Sequence, residues 1–186
     1  MRRAALPLTV SLAIAALCGC GASRRLGDFG VPADFTLTSQ TGRSVTLAEL
    51  RGKVWVADTF FTTCTGPCPM MSAKMQRLAR ETPQTADVRF VSLTVDPAQD
   101  SPAALLAYSE HFHADPARWL FLTGDLAALN RVTMDGLHLS RVDGSLEHST
   151  EFALVDRKTH VRGYYFPFEQ KQFEKLISDI RYLAGS

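Results

Sequence analysis

The first structured stretch of the chain is marked by alternating apolar and polar positions. Phe35-Thr36-Leu37-Thr38 alternates, Gln40-Thr41-Gly42 supplies a turn, and Ser44-Val45-Thr46-Leu47 alternates again, which predicts a β-hairpin. Residues 54–61 are a denser run, rich in β-branched and aromatic side chains, and predict a central strand covered on both faces. A second such strand is predicted over 88–95, with shorter ones over 119–122, 152–155 and 161–166, the last two joined by the polar turn Asp156-Arg157-Lys158-Thr159. Met71, Met75 and Leu78 recur at helical spacing and predict a helix over 69–81. Ser101-Pro102 pairs a capping hydroxyl with a first-turn proline and predicts a helix from there to about His111. A further helix is expected over 125–134. Phe173, Leu176, Ile177, Ile180 and Leu183 form the apolar stripe of a terminal one. Strands alternating with helices, opened by a hairpin and closed by a helix, give an α/β sandwich. Sites in such sheets gather at the carboxyl ends of the strands, and Cys64 lies just beyond the strand that closes near Phe61.

The segment before the hairpin has a different character. Arg2 and Arg3 precede an almost wholly apolar run over 4–17, shorter than the roughly 20 residues a membrane span needs. It reads as a secretory leader. Its end, Leu17-Cys18-Gly19-Cys20, resembles a bacterial lipobox, with Cys20 as the residue that takes the lipid. The expected organisation is a lipoprotein-type signal peptide over 1–19, a tether over 20–30 and one domain over 31–186. That places the domain on the outer or periplasmic side of the cell membrane, held there by acyl chains. The composition, 46% apolar and 21% charged, is that of an ordinary globular domain. The net charge is +1, and losing Arg2 and Arg3 takes it to −1. So near-neutral a chain offers no electrostatic basis for binding nucleic acid.

Export leaves Cys64 and Cys68 as the two cysteines of the domain, in Thr62-Thr63-Cys64-Thr65-Gly66-Pro67-Cys68-Pro69. An oxidising compartment tends to pair them. A disulfide across so few positions closes a short loop and stabilises little, which argues against a purely structural bond. Pro67 and Pro69 disfavour helix for the residues before them, so Pro69 is expected to be the first helical residue. Both sulfurs then lie at a helix N-terminus, where the macrodipole should lower the thiol pKa and favour the thiolate that exchanges disulfides or binds metal. Two intervening residues suit disulfide exchange, whereas three give a wider bite for one soft ion. A structural zinc site wants four ligands, and there is no second cysteine pair. Two thiolates with one imidazole suit copper better.

Five histidines are available as a third ligand. His111 and His113 read as residues closing a helix C-terminus, and His138 and His160 as ordinary strand and turn residues. His148 precedes the strand over 152–155. Met71 belongs to the core stripe, while Met70 fits either packing or a soft ligand. Asp96 lies past a strand end on the face of the site, where a turn-capping and a functional role fit equally.

Three segments carry a resemblance. Phe60-Phe61-Thr62-Thr63-Cys64-Thr65-Gly66-Pro67-Cys68-Pro69-Met70-Met71, Val91-Ser92-Leu93-Thr94-Val95-Asp96-Pro97-Ala98-Gln99-Asp100-Ser101-Pro102 and His148-Ser149-Thr150-Glu151-Phe152-Ala153-Leu154-Val155-Asp156 resemble, in order and spacing, the Sco/SenC copper chaperones. The resemblance implies a thioredoxin-like fold with a central mixed sheet and flanking helices. It implies a copper ion, Cu(I) or Cu(II), on Cys64, Cys68 and His148. It further implies a role in maturing the copper-A centre of cytochrome c oxidase, with the copper-A subunit as partner and a periplasmic copper donor or thioredoxin-like reductant upstream. Thr65 stands where many relatives have proline, and Glu147 where an aspartate commonly precedes the histidine; neither change removes a ligand. An assembly factor of this kind is not an enzyme in the usual sense. The alternative is a membrane-anchored thiol-disulfide reductase that uses Cys64 and Cys68 as a redox pair to keep the oxidase's copper-site cysteines reduced. The opening hairpin, strand and loop also resemble peroxiredoxin-like proteins, but no further residue set points to peroxide reduction.

Overall fold

The computed structural model describes residues 25–82 and 87–185. The leader over 1–19 and residues 20–24 of the tether, Cys20 among them, lie outside the described residues. Seven strands form one mixed sheet in the order β2-β1-β5-β4-β3-β6-β7. They are β1 (Thr36–Ser39), β2 (Ser44–Thr46), β3 (Val54–Phe60), β4 (Val88–Thr94), β5 (Trp119–Thr123), β6 (Phe152–Val155) and β7 (Val161–Tyr165). β3, β4 and β5 are parallel, while the hairpins β1–β2 and β6–β7 flank them antiparallel. Among the described residues five α-helices accompany them: α1 (Leu47–Leu50), α2 (Cys68–Glu81), α3 (Pro102–His111), α4 (Leu126–Asn130) and α5 (Gln170–Ala184).

The sheet has a core on each face, and the two-residue period of β3 feeds both. Val54, Val56 and Phe60 face Met71, Met75 and Leu78 of α2, Leu105 of α3 and Phe173, Leu176, Ile177 and Ile180 of α5. Trp55 and Ala57 join the opposite core, with Leu47 and Leu50 of α1 and Ala128 and Leu129 of α4. Every residue of β3 is buried, as expected of a parallel central strand. The outer edge of β7 is covered by the N-terminal strap, whose Phe29 N–H donates to Val161 O at 2.9 Å and whose Gly30 O accepts from Val161 N–H at 2.9 Å. No helix among the described residues is long and apolar enough to cross a membrane.

Three elements differ from the sequence-based expectation. α1 was not expected: it is a single turn, and the Thr46 N–H donates to Glu49 Oε1 at 3.0 Å to start it. The helix expected over 125–134 is α-helical only as far as Asn130 and then widens into a π-helical turn, Arg131–Gly136. α2 starts at Cys68 rather than Pro69, with Pro67 already in helical geometry at φ −74°, ψ −26°.

Met75 is fully buried between α2 and β3. Met75→Ala should lower the unfolding free energy by about 2–5 kcal/mol, the range for truncating a buried long apolar side chain. Urea denaturation checks this, and a loss below ~1 kcal/mol would contradict the packing described.

Candidate metal centre

β3 ends at Phe60, and the chain must turn sharply to reach α2. A buried carboxylate fixes that turn. Asp100 accepts the Thr62 N–H with both oxygens at 3.2 Å, accepts the Thr62 hydroxyl at 2.5 Å, and also accepts the Thr94 hydroxyl at the end of β4. The Cys64 N–H then donates to Phe61 O at 3.3 Å. Asp96 takes the turn-forming role, its carbonyl accepting from Gln99 N–H at 3.2 Å and Asp100 N–H at 2.9 Å. The acidic side chain that organises the cysteine loop is therefore Asp100, which sequence reasoning passed over.

Cys64 is half-buried, Cys68 is fully buried, and both are free thiols. His148 comes in on the loop before β6, and its ring sits edge-on to Phe61 with centroids 5.9 Å apart. The ligating atoms of Cys64, Cys68 and His148 all lie within 4.8 Å of one another. Metal bonds of about 2.3 Å to sulfur and about 2.0 Å to nitrogen place donors sharing one ion up to roughly 4 Å apart. The cluster thus fits a single ion after a shift of less than an ångström. Two soft sulfurs and an imidazole select a soft or borderline transition metal over magnesium or calcium.

Hydrogen bonding defines the imidazole. Nδ1 lies 3.0 Å from the Ser149 carbonyl, which only accepts, so Nδ1 carries the proton. Nε2 lies 3.1 Å from Cys68 Sγ with its lone pair toward the sulfur, and the Cys68 S–H is the donor. The sequence-based expectation of lowered thiol pKa values is reversed at Cys68. Burial pushes this thiol up, and its contact with Cys64 and the charge of Asp58 add to the rise. The Phe61 backbone N–H on the sulfur opposes it only in part. Desolvation outweighs the helix N-terminus here, because the sulfur has left water altogether.

The other expected candidates fall elsewhere. Met71 is buried in the core and Met70 is exposed. His111 ends α3, and His113 follows in left-handed geometry at φ 51°. His138 Nδ1 meets Met134 O at 3.0 Å, and His160 Nδ1 meets the Asp28 carboxylate at 3.0 Å. Among the described residues, the Cys64, Cys68 and His148 cluster is the one group of three or more such side chains placed to hold an ion.

One residue of the site went unremarked in the sequence although it breaks the apolar run of β3. Asp58 is completely buried on the Phe60 side of the sheet, the side that also holds Cys68. Its polar neighbour is Ser92, opposite it on β4, whose hydroxyl accepts from Trp119 Nε1 at 2.9 Å and keeps its own proton to offer the carboxyl. Burial raises the Asp58 pKa to about 7, against the lowering effect of Ser92. Tyr108, hydrogen-bonded to Ser72 at 3.0 Å, lies in the same layer and is pushed up by burial first and by the nearby sulfurs and Asp58 after it.

The SCO1/SenC family model matches residues 25–185. The SCO1 protein homolog of Bacillus subtilis is 30% identical over 181 residues, covering 94% of each chain. A crystal structure of a SCO1/SenC family lipoprotein from Bacillus anthracis superposes with TM-score 0.75 at 33% identity, over 87% of this chain and 99% of that one. BsSco, described as a Sco-family cytochrome c oxidase assembly protein with a disulfide switch, superposes with TM-score 0.74 at 28% identity, over 86% and 97%. The mixed sheet and flanking helices are those of the thioredoxin-like fold of these structures.

Asp58 has a thermodynamic consequence. Its folded-state pKa, about 7, lies well above the ordinary carboxylate range, so the folded state binds this proton more tightly. Its contribution therefore favours folding at low pH, declines as pH rises from about 4 to about 7, and is flat above that. The shift corresponds to a loss of roughly 4 kcal/mol across that window. Asp58→Asn should remove this decline, so that the variant gains on wild type as pH rises. Denaturant melts at pH 5 and pH 8 check it, and an unchanged difference between the two proteins would contradict the buried, proton-holding Asp58.

Proposed function

Because the chain belongs to the SCO1/SenC family, we propose that it is a copper metallochaperone that carries its cargo on Cys64, Cys68 and His148 and delivers it to the copper-A subunit of cytochrome c oxidase. The observation that carries this reading is the convergence of two thiols and one lone-pair nitrogen within 4.8 Å. Cu(I) is satisfied by two soft thiolates, and Cu(II) gains from the added imidazole, so the donor set accommodates cargo in either state. Loading displaces the thiol protons, and delivery exchanges these ligands for those of the acceptor. The link to the oxidase rests on the family, in which BsSco is described as an assembly protein for that enzyme.

A second reading has its own support. Two free thiols, one buried and one half-buried, form a competent dithiol, and this pair would reduce the cysteines of the acceptor's copper site. The imidazole separates the two readings, because thiol exchange does not require it. The leader ending in Cys20 supports a lipid-anchored protein whose domain faces the periplasm or the exterior. The Bacillus anthracis relative is itself described as a lipoprotein.

Copper titration of the reduced protein tests the metallochaperone reading. His148→Ala should weaken Cu(II) binding at least about tenfold, or ~1.4 kcal/mol. Equal, tight binding by both proteins would remove the histidine from the ligand set. In cells, a His148→Ala variant that supports oxidase assembly fully, while Cys64→Ser and Cys68→Ser do not, would make the reductase reading the correct one. For the anchor, labelled palmitate should enter the wild-type chain and not Cys20→Ala; incorporation in both would refute the assignment of Cys20.

A further inference from the structure

We infer that Ser140, which is not a metal donor, is the residue that positions His148, by bridging strand β3 to the backbone that fixes the imidazole. The inference rests on reading His148 as a copper ligand, and it concerns how that ligand is held.

The loop carrying His148 has no regular secondary structure between residue 137 and β6. Its chain passes through left-handed geometry at Gly144, φ 86°, and Leu146, φ 61°. Much of its bonding is local. Asp143 Oδ1 accepts the Ser145 N–H at 3.0 Å, Ser145 Oγ accepts the Glu147 N–H at 3.3 Å, and Ser149 Oγ accepts the Glu151 N–H at 3.1 Å. Turns of this kind shape a loop but do not attach it to anything. Asn130 attaches the early part of the loop, since its side chain donates to Val142 O at 2.7 Å and accepts from Val142 N–H at 2.8 Å.

Ser140 makes the attachment next to the histidine. It is 6% exposed, and its hydroxyl lies 2.8 Å from Thr59 Oγ1 and accepts the Ser149 N–H at 2.8 Å. Thr59 is fully buried in β3, the strand that ends where the cysteine loop begins. One peptide unit further on, the Ser149 carbonyl lies 3.0 Å from His148 Nδ1. A path of hydrogen bonds joined through the Ser149 backbone therefore runs from Thr59 by way of Ser140 to the imidazole. It ends with Nε2 3.1 Å from Cys68 Sγ. The Phe61 ring also packs against the imidazole in a T-shaped arrangement, but an aromatic contact does not choose between ring nitrogens. The Ser149 carbonyl does, and Ser140 holds the residue that carries it.

Removing the hydroxyl leaves the Ser149 N–H and the buried Thr59 hydroxyl without this partner, so the Ser149 carbonyl is no longer held toward Nδ1. The consequence differs between copper states. Cu(I) is retained by the two thiolates, whereas Cu(II) depends on the nitrogen.

The test uses the full-length reduced protein as wild type, Ser140→Ala, Ser140→Thr and Thr59→Val. In the metal-free protein, nitrogen-15 NMR should show His148 protonated on Nδ1 and a slowly exchanging Ser149 amide. Ser140→Ala should lose both features, and Ser140→Thr, which keeps the hydroxyl, should restore them. With copper, Ser140→Ala should bind Cu(II) about 10–100-fold more weakly, as expected for loss of an outer-shell partner. Its Cu(I) affinity should change less than about threefold, and the nitrogen signature in the Cu(II) spectrum should weaken. Retention of the tautomer, the amide protection and the Cu(II) affinity in Ser140→Ala would overturn the inference. Should Ser140→Ala fail to fold, Thr59→Val cuts the same path from its other end and decides the matter by the same readouts. If wild type itself bound no copper, the metallochaperone reading would fall, while the metal-free NMR comparison would still decide the role of Ser140.

Discussion

The antiparallel pairing of β3 with β6 is the constraint on which the centre depends. It aligns Trp55 with Val155, Val56 with Leu154 and Ala57 with Ala153, so the end of β3 meets the beginning of β6. The cysteine loop leaves from one of these ends and the histidine loop arrives at the other. Residues 80 positions apart in sequence, Cys68 and His148, are thereby brought into hydrogen-bond contact. A one-residue slip of β6 would exchange its faces, forcing Phe152 and Leu154 into the core that now holds Ala153 and Val155 and the reverse. The apolar pattern of a strand that contributes no ligand thus sets the position of the third ligand.

Burial around this meeting point is uneven. Cys68, Asp58 and Tyr108 lie in an apolar layer built from α2, α3 and the central strands, and all three are held toward their protonated forms by desolvation. A carboxyl in the middle of β3 weakens the fold relative to an apolar residue there, at least above its folded-state pKa. Stability alone gives no reason for such a residue, and its place on the buried side of the sheet that also holds Cys68 is a local departure from optimal packing of the kind found at functional sites.

The hairpin, the central strands and the apolar stripes of α2 and α5 are legible in the sequence because each is a short-range periodicity tied to burial of one face. The transition from α4 to a π-helical turn over Arg131–Gly136 is not, because one extra residue in a turn leaves the apolar spacing that marks a helix almost unchanged. The donors were readable for different reasons: the cysteines from their spacing beside a helix start, His148 through family resemblance alone. The residues that hold them were not. Asp100 reaches Thr62 across 38 positions and Ser140 reaches Thr59 across 81, and a sequence carries no sign of such pairings until strand order and register are known. Asp58 did leave a sign, as an acid inside an otherwise apolar strand. The expected fall in the Cys68 pKa failed because helix-terminus reasoning gives the sign of a dipole and not the depth of the sulfur.

The two thiols are inequivalent, and this bears on how cargo moves. Cys64 is half-buried, whereas Cys68 is enclosed and hydrogen-bonded to the imidazole. An incoming ion, or an acceptor thiolate displacing one, meets Cys64 first, because attack on Cys68 would require the loop or α2 to move. Were an ion exchanged through Cys64, Cys68 and His148 would remain to hold it. The same geometry would make Cys64 the sulfur that an external thiolate attacks in a Cys64–Cys68 disulfide, with Cys68 departing as the thiolate. Copper transfer and thiol exchange would both begin at Cys64, and the His148 nitrogen beside Cys68 is what distinguishes a site built to retain an ion from a bare dithiol.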